Sequence, residues 1–224
     1  MGIFELLERG RGTISSALGK ELAARVLAGE ASVLEEALKL CVYDLPNPDS
    51  RQIRAGAAKT VEIVAEKAPE QVAPYLGFLL PALSAPEPQT RWMILRTCGF
   101  CAALVPDIAA KAIPAAEAAI ESKEGLVLAS SADLYLGDLG AVSREHAKAV
   151  FPVLAKSAAS AIKNEHAWLL EAFTALSANL DDAEGASAAE FARRCADSPR
   201  KSVSRRARKL LAQINRGSQS FMAR

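Results

Sequence analysis

Histidine is almost missing from this chain, with two in 224 residues, and aromatic side chains make up only 5%. His146 and His166 each stand beside an acid, Glu145 or Glu165, near an expected helix start, so both read as surface residues. Two histidines give no basis for a Ser-His-Asp set. Four cysteines fall at positions 41, 98, 101 and 195, each among apolar neighbours. Cys98-Gly-Phe-Cys101 spells a CxxC, but it sits mid-helix, whereas a redox pair needs a strand feeding a helix N-terminus. Zinc needs four ligands, and no second CxxC or histidine pair offers them. The expectation is therefore four reduced core thiols, no metal and no catalytic residue. Phosphate-cradling glycine loops of the GxxxxGK[ST] or strand-linked GxGxxG kind are missing too, so no cofactor is expected. No apolar run reaches the ~18 residues of a membrane span. The start, MGIFELLERG, carries acids where a signal peptide needs bases, and Leu6 stands where a myristoylation signal has Ser or Thr. These features lead to the expectation of a cytoplasmic protein that does not enter the membrane.

What the chain has in quantity is alanine, 45 residues, within a composition that is 50% apolar and 24% charged. Alanine is the best helix former and lets helices approach closely. Alternating β-branched runs are hard to find, so the fold class reads as all-α. The net charge of +1 hides an asymmetry. From Arg193 onward there are ten bases against one acid, Asp197, leaving seventeen bases against twenty-five acids in the rest. Such a split is either an intramolecular attraction, a solvated face, or the mark of an anionic partner.

Side chains recur at a spacing of about 37. A shift of that size sets Arg54 on Arg91, Val61 on Cys98, Ala65 on Ala102 and Pro69 on Pro106. Trp92 and Trp168 lie at twice that spacing. The pattern predicts helix pairs, with first helices over about 51–67, 91–104, 126–139 and 203–214. Second helices follow over about 70–83 and 143–160, bent or delayed by Pro74, Pro81, Pro114 and Pro152. Gly140 is expected to end its helix in a left-handed conformation. Asp181-Asp182 is expected to begin one. Before the repeats, a short helix near Ile3–Leu7 precedes one from Thr13 to about Ala28 and another from Ser32 to about Tyr43, broken at Gly29. Ser32 and Glu35 are expected to form a capping box.

The stretch NPDSRQIRAGAAKTVEIV, with its Asn-Pro-Asp turn, Ile53-Arg54 and Ala57 or Ala58, resembles the first helix of a HEAT repeat. SPRKSVSRRARKLLAQI is similar to another, and APEPQTRWMILRTCGF more distantly so. The resemblance covers residues 45 to 215 and departs most over 126–160. It implies a HEAT-like, armadillo-like helical α-solenoid: one domain of about five stacked antiparallel helix pairs, with residues 1–44 as an N-terminal capping unit and 216–224 as a frayed tail. It also implies a non-enzymatic scaffold that binds a protein partner on a concave surface lined by the second helices.

Candidate contact residues follow from the faces. Around 91–104 the helix is apolar on nearly every side, which predicts burial throughout, with Trp92 and Arg96 at its edge as the alternative docking point. Val203, Ala207, Leu210, Leu211 and Ile214 fall on one stripe, so Arg205, Arg206, Arg208 and Lys209 face water. Those four bases make a nucleic-acid partner the second expectation. HEAT-like DNA glycosylases of the alkylation-repair type use tryptophans and bases against DNA with an acid for the chemistry, and Trp92 and Trp168 are similar in kind. One turn beyond Trp92 stands Arg96 rather than a carboxylate, and one turn beyond Trp168 stands Ala172. No catalytic residue carries over, and core packing between repeats is the plain reading of both tryptophans.

Overall fold

Every regular element in the computed structural model is a helix; no strand occurs among the described residues, which are 2–9, 16–162 and 164–222. The chain divides into two compact units, Met1–Ala115 and Ala116–Arg224.

In the first unit, α1 (Ile3–Arg9), α2 (Ser16–Leu27) and α3 (Ala31–Cys41) pack on α4 (Arg51–Lys67). Ile3 and Leu7 are buried, and the Phe4 N–H donates to Glu36 Oε1 at 3.1 Å, tying α1 to α3. Thr13 lies outside the described residues. The break at Gly29 is as expected, with φ +105. The capping box at Ser32 is not formed: α3 starts one residue early, after Glu30, which makes no side-chain cap. Glu30 pairs with Arg25 Nη2 at 2.7 Å, and Ser32 falls inside the first turn, past the position where its hydroxyl would cap the helix.

α4 lies against α7 (Pro88–Cys101). Between them the expected second helix is a broken ribbon of α5 (Pro69–Val72), a 3-10 turn Ala73–Tyr75, α6 (Leu76–Leu79) and a 3-10 turn Leu80–Ser84. Pro74 and Pro81 each stand inside a 3-10 piece, because a proline ring cannot donate the α-helical N–H and crowds the preceding turn. After α7 the pattern repeats with α8 (Pro106–Ala109), a 3-10 turn and α9 (Ile113–Glu121).

Buried at the α4–α7 seam is a full charge. Arg54 is 0% exposed. Its Nε and Nη2 meet the two carboxylate oxygens of Glu87 at 2.9 and 2.7 Å, and its Nη1 donates to the carbonyls of Tyr43 and Asp44 at 3.2 and 2.7 Å. A buried ion pair is tolerated when its remaining donors find acceptors, as here. Asp44 adopts φ +42, and its carboxylate accepts from Asn47 Nδ2 and Ser50 Oγ, which fixes the turn that presents those carbonyls.

In the second unit, α10 (Leu126–Gly140) lies against α11 (Arg144–Ser160) and α12 (His166–Leu176); α12 lies against α14 (Lys201–Met222), and α13 (Asp182–Ala196) against α14. Asp181 caps α13 with a reciprocal box to Glu184, a helix start as expected. Arg144, at the start of α11, donates to Asp181 Oδ2 at 2.7 Å, to the Asn179 carbonyl at 2.9 Å and to Glu184. Pro152 sits inside α11 without ending it. Gly140 is not a left-handed cap. It is the last residue of α10, and a Cβ there would meet Val150 Cγ2 at 2.9 Å and Leu176 Cβ at 3.0 Å, so the position needs a missing side chain rather than a positive φ. The backbone of α14 stays helical to Met222, beyond the expected end at Ile214, so residues 216–222 are helical instead of frayed.

Candidate functional site

Two helix starts come together in the first unit. The chain enters α4 through a 3-10 turn, Pro48–Ser50, held by Asn47 Oδ1 accepting from the Asp49 N–H at 2.9 Å. It enters α7 through Pro86, Glu87 and Pro88, with Pro88 at the first helical position, where its lack of an N–H costs nothing. Because α4 and α7 lie side by side, these proline-rich entries wall a groove of ≈ 890 Å³. Trp92 and Met93 close one side, and Arg51, Gln52 and Lys59 the other. The Arg54–Glu87 pair underlies it, so the groove stands on a rigid, satisfied base.

Trp92 is half-buried instead of core, and Lys59 Nζ lies 5.3 Å from the centre of its ring. A cation over an indole face is attracted by the ring quadrupole, and it also holds the ring at the groove wall. Lys59 Nζ also donates to Glu62 Oε2 at 2.6 Å. Burial pushes the Glu62 carboxyl above its ordinary range, against the opposing pull of Lys59 and of the Arg96 charge. Glu87 goes the other way. Burial works to raise it, but hydrogen bonds from Arg54 and Thr90 outweigh that and hold it below the ordinary range. Glu87 is thus a fixed anion, already spoken for by Arg54. Arg51 is exposed and makes no ion pair with any described residue. A second groove of ≈ 650 Å³ shares Lys59 and runs beside α2 and the rest of α4, past Lys20, Leu27, Ile63 and Lys67.

Arg96 does not line either groove; it stacks on Phe100, 4.5 Å from the ring centre. The helix carrying it is not buried all round: Phe100 is half-buried, and Leu104 lies past the helix end, 50% exposed. Trp168 belongs to the other unit, half-buried at the start of α12. Arg205, Arg208 and Lys209 are exposed on α14, while Arg206 turns to Glu171 of α12 at 3.1 Å. Of the candidates, Trp92 lines the larger groove of the first unit, Arg96 lies outside it, and the rest belong to the second unit.

The groove walls 48, 51, 52, 86 and 89 escaped sequence reasoning. Their signal was the recurrence of a proline-flanked acid, Asn-Pro-Asp and Pro-Glu-Pro, with Pro48 and Pro86 38 residues apart. Exposed Tyr75 and Phe78 escaped it too, since prolines on both sides remove them from any helical stripe.

The cysteines carry no site. All four are free and buried, and burial pushes the thiols of Cys41 and Cys98 well up and that of Cys101 up to about 12. No group of three His, Cys, Asp or Glu side chains suited to a metal ion occurs among the described residues. No described helix is long and apolar enough to cross a membrane.

No family model matches the chain, and no curated protein matches it. Solved structures do. An engineered protein from the Northeast Structural Genomics Consortium is 18% identical over 97% of this chain and 98% of its own, with a TM-score of 0.63. Another is 16% identical over 96% of this chain and 97% of its own, with a TM-score of 0.69. A third is 17% identical over 95% of this chain and 57% of its own, with a TM-score of 0.62. At such identity the likeness is one of all-helical fold.

Proposed function

We propose that the protein is a non-enzymatic interaction module, a HEAT-like α-solenoid of about five helix pairs, which holds an extended segment of a partner protein. The supporting observation is the ≈ 890 Å³ groove with Trp92 as its wall. A half-exposed tryptophan fixed by a cation, with Pro48, Pro86 and Pro88 around it, supplies a rigid apolar anchor. Interfaces draw most of their energy from such anchors, and tryptophan and arginine lead among them. Prolines add apolar surface that loses little entropy on binding. Arg51 and Lys59 favour an acidic segment over a basic one. In a solenoid of this kind each helix pair shields its neighbour, and grooves between successive pairs are the natural docking places. Four free buried thiols suit a reducing compartment such as the cytoplasm.

The test is site-specific photocrosslinking from Gln89, beside Trp92, with an equivalent probe at exposed Glu145 of the other unit as reference. The expected result is one dominant protein adduct from position 89 only. Calorimetry with that partner, purified, should then show Trp92→Ala weakening binding by roughly 30-fold, the loss typical of a hot spot. Adducts shared by both positions, or equal affinity for the Trp92→Ala protein, would rule the groove out.

A further inference from the structure

The exposed cations of α14 are arranged as a row. At 100° per residue, Lys201, Arg205, Arg208, Lys209 and Arg216 fall within an arc of about 100°. Val203, Ala207 and Leu210, all buried, lie on the opposite side. The five cations are exposed, and no acid occurs from 201 to 222. Lys201, Arg205, Arg208 and Lys209 make no ion pair with any described residue, so their charge is not neutralised within the fold. Arg216 Nε donates to the Ala212 carbonyl, one turn back. Arg193 and Arg194, also exposed, end α13, and Arg200 stands in the short turn before α14, so the row begins at a cationic corner. From Lys201 to Arg216 it runs about 22 Å along a helix whose other face is locked into the core.

We propose that this row is a docking surface for duplex nucleic acid, bound through the phosphates of its backbone without reading the bases. Charge complementarity carries the choice of partner. A duplex presents one negative charge per about 1.7 Å of axis, so a straight row of one sign finds counter-charges along its whole length. Three of the five are arginines, whose planar fork suits phosphate oxygens. The arc holds no large apolar side chain; the exposed non-polar residue on it is Ala212. A membrane-surface helix needs an apolar face free to enter the lipid, and here that face is occupied by the core. A protein interface needs a desolvated anchor, and the arc offers none. Single strands are held by stacking on aromatic rings, which the arc also lacks.

The test uses the whole chain and fluorescence anisotropy with two unrelated 24-base-pair DNA duplexes between 50 and 200 mM salt. Both duplexes should bind alike, with log affinity falling against log salt at a slope of about −4.5, as five displaced counterions imply. Arg205→Gln/Arg208→Gln/Lys209→Gln should lower affinity at least tenfold and flatten the slope by about 2.7. Lys39→Gln/Lys148→Gln, which removes exposed charge elsewhere, should leave the slope unchanged. Thermal unfolding of the triple variant reports whether the fold is kept, and its exposed sites should leave the midpoint in place. Absence of binding at 50 mM salt would overturn the proposal, as would a triple variant that binds like the parent. Tighter binding to a single strand of the same length, to polyglutamate, or to vesicles with 30% phosphatidylserine would overturn it equally.

Discussion

The α4–α7 seam of the first unit and the α10–α12 seam of the second hold the same kind of helix pair in opposite ways. The first places a charge pair between its helices: Arg54 and Glu87, 0% and 6% exposed in their side chains, lock across the seam at 2.7 Å. The second removes a side chain. A Cβ on Gly137 would stand 2.5 Å from Ala172 Cα, so backbone lies on backbone. Glu87 in the first unit and Asp133 in the second are both buried carboxyls, and their partners differ. Glu87 has a guanidinium and stays ionised. Asp133 on α10, 1% exposed, has only Ser157 Oγ at 2.8 Å on one oxygen; its other oxygen and the nearby Ser130 hydroxyl have no partner. Burial raises Asp133 to about 7, the Ser157 hydrogen bond opposing and Glu165 adding. Burial of the acid is common to both units; the presence of a cation separates them.

Removing the cation should erase that separation, with the largest effect of the three changes considered. Arg54→Ala leaves Glu87 buried without its counter-charge and two turn carbonyls without a donor, which costs about 3–5 kcal/mol of stability at neutral pH. The pH dependence should invert as well. In the parent, a carboxyl held below its unfolded range contributes stability above that range and loses it as pH falls through the folded value. In Arg54→Ala, Glu87 takes on the condition of Asp133, so the deficit shrinks toward acid. Urea unfolding at pH 7.5 and pH 4.5 checks this. Equal deficits at both values would show that the pair matters only as packing.

The reverse change is to take the charge away from Asp133. Its folded value lies above its unfolded one, so the stability linked to it is complete below about pH 4, where both states are protonated. That stability is lost as pH rises through about 7, because only the unfolded chain ionises cheaply in between. Asp133→Asn keeps the shape and removes the titration. At pH 8 it should be more stable than the parent by something on the order of 4 kcal/mol, with the gain fading toward pH 4. Thermal midpoints across pH 4 to 8 decide it, and a gain that does not vary with pH would exclude titration of Asp133 as the cause.

Sequence and structure part company along the same line. Arg54 entered the sequence reading through its recurrence at Arg91 and as the cation after Ile53 in the HEAT-like stretch; its burial against Glu87, 33 residues away, was not legible there. The start of α13 was legible because Asp181 and Asp182 suit a helix N-terminus and need nothing distant, although the reciprocal box with Glu184 was not read. Ser32 and Glu35 have the same spacing, but α3 already begins at Ala31, which puts Ser32 inside the first turn rather than at its cap. Gly140 looked like a cap because glycine after a helix usually is one; closeness of Val150 and Leu176 is invisible until α10, α11 and α12 are assembled. The groove shares that limit. Pro48 and Pro88 become neighbours only because α4 and α7 lie side by side, while the period of about 37 residues says that such turns recur without saying what stands between them.

The smallest effect should come from forcing a methyl group into the second seam. Gly137→Ala adds one methyl group and, by helix propensity alone, would stabilise α10 by about 1 kcal/mol. Against that stands overpacking, about 1–3 kcal/mol where a well-packed seam has to open. The atom in the way decides the sign. It is Ala172 Cα, part of the backbone, so no rotamer change relieves the contact and α10 and α12 have to move apart. The net result should be a loss of about 1–2 kcal/mol, read as a lower urea midpoint with an unchanged slope. Trimming the facing residue sharpens the point. Ala172→Gly removes a Cβ at 2.9 Å but leaves the Cα at 2.5 Å, so Gly137→Ala/Ala172→Gly should recover little of the loss. Full recovery in the double variant would mean that side chains set the spacing of this seam, as they do where Arg54 meets Glu87.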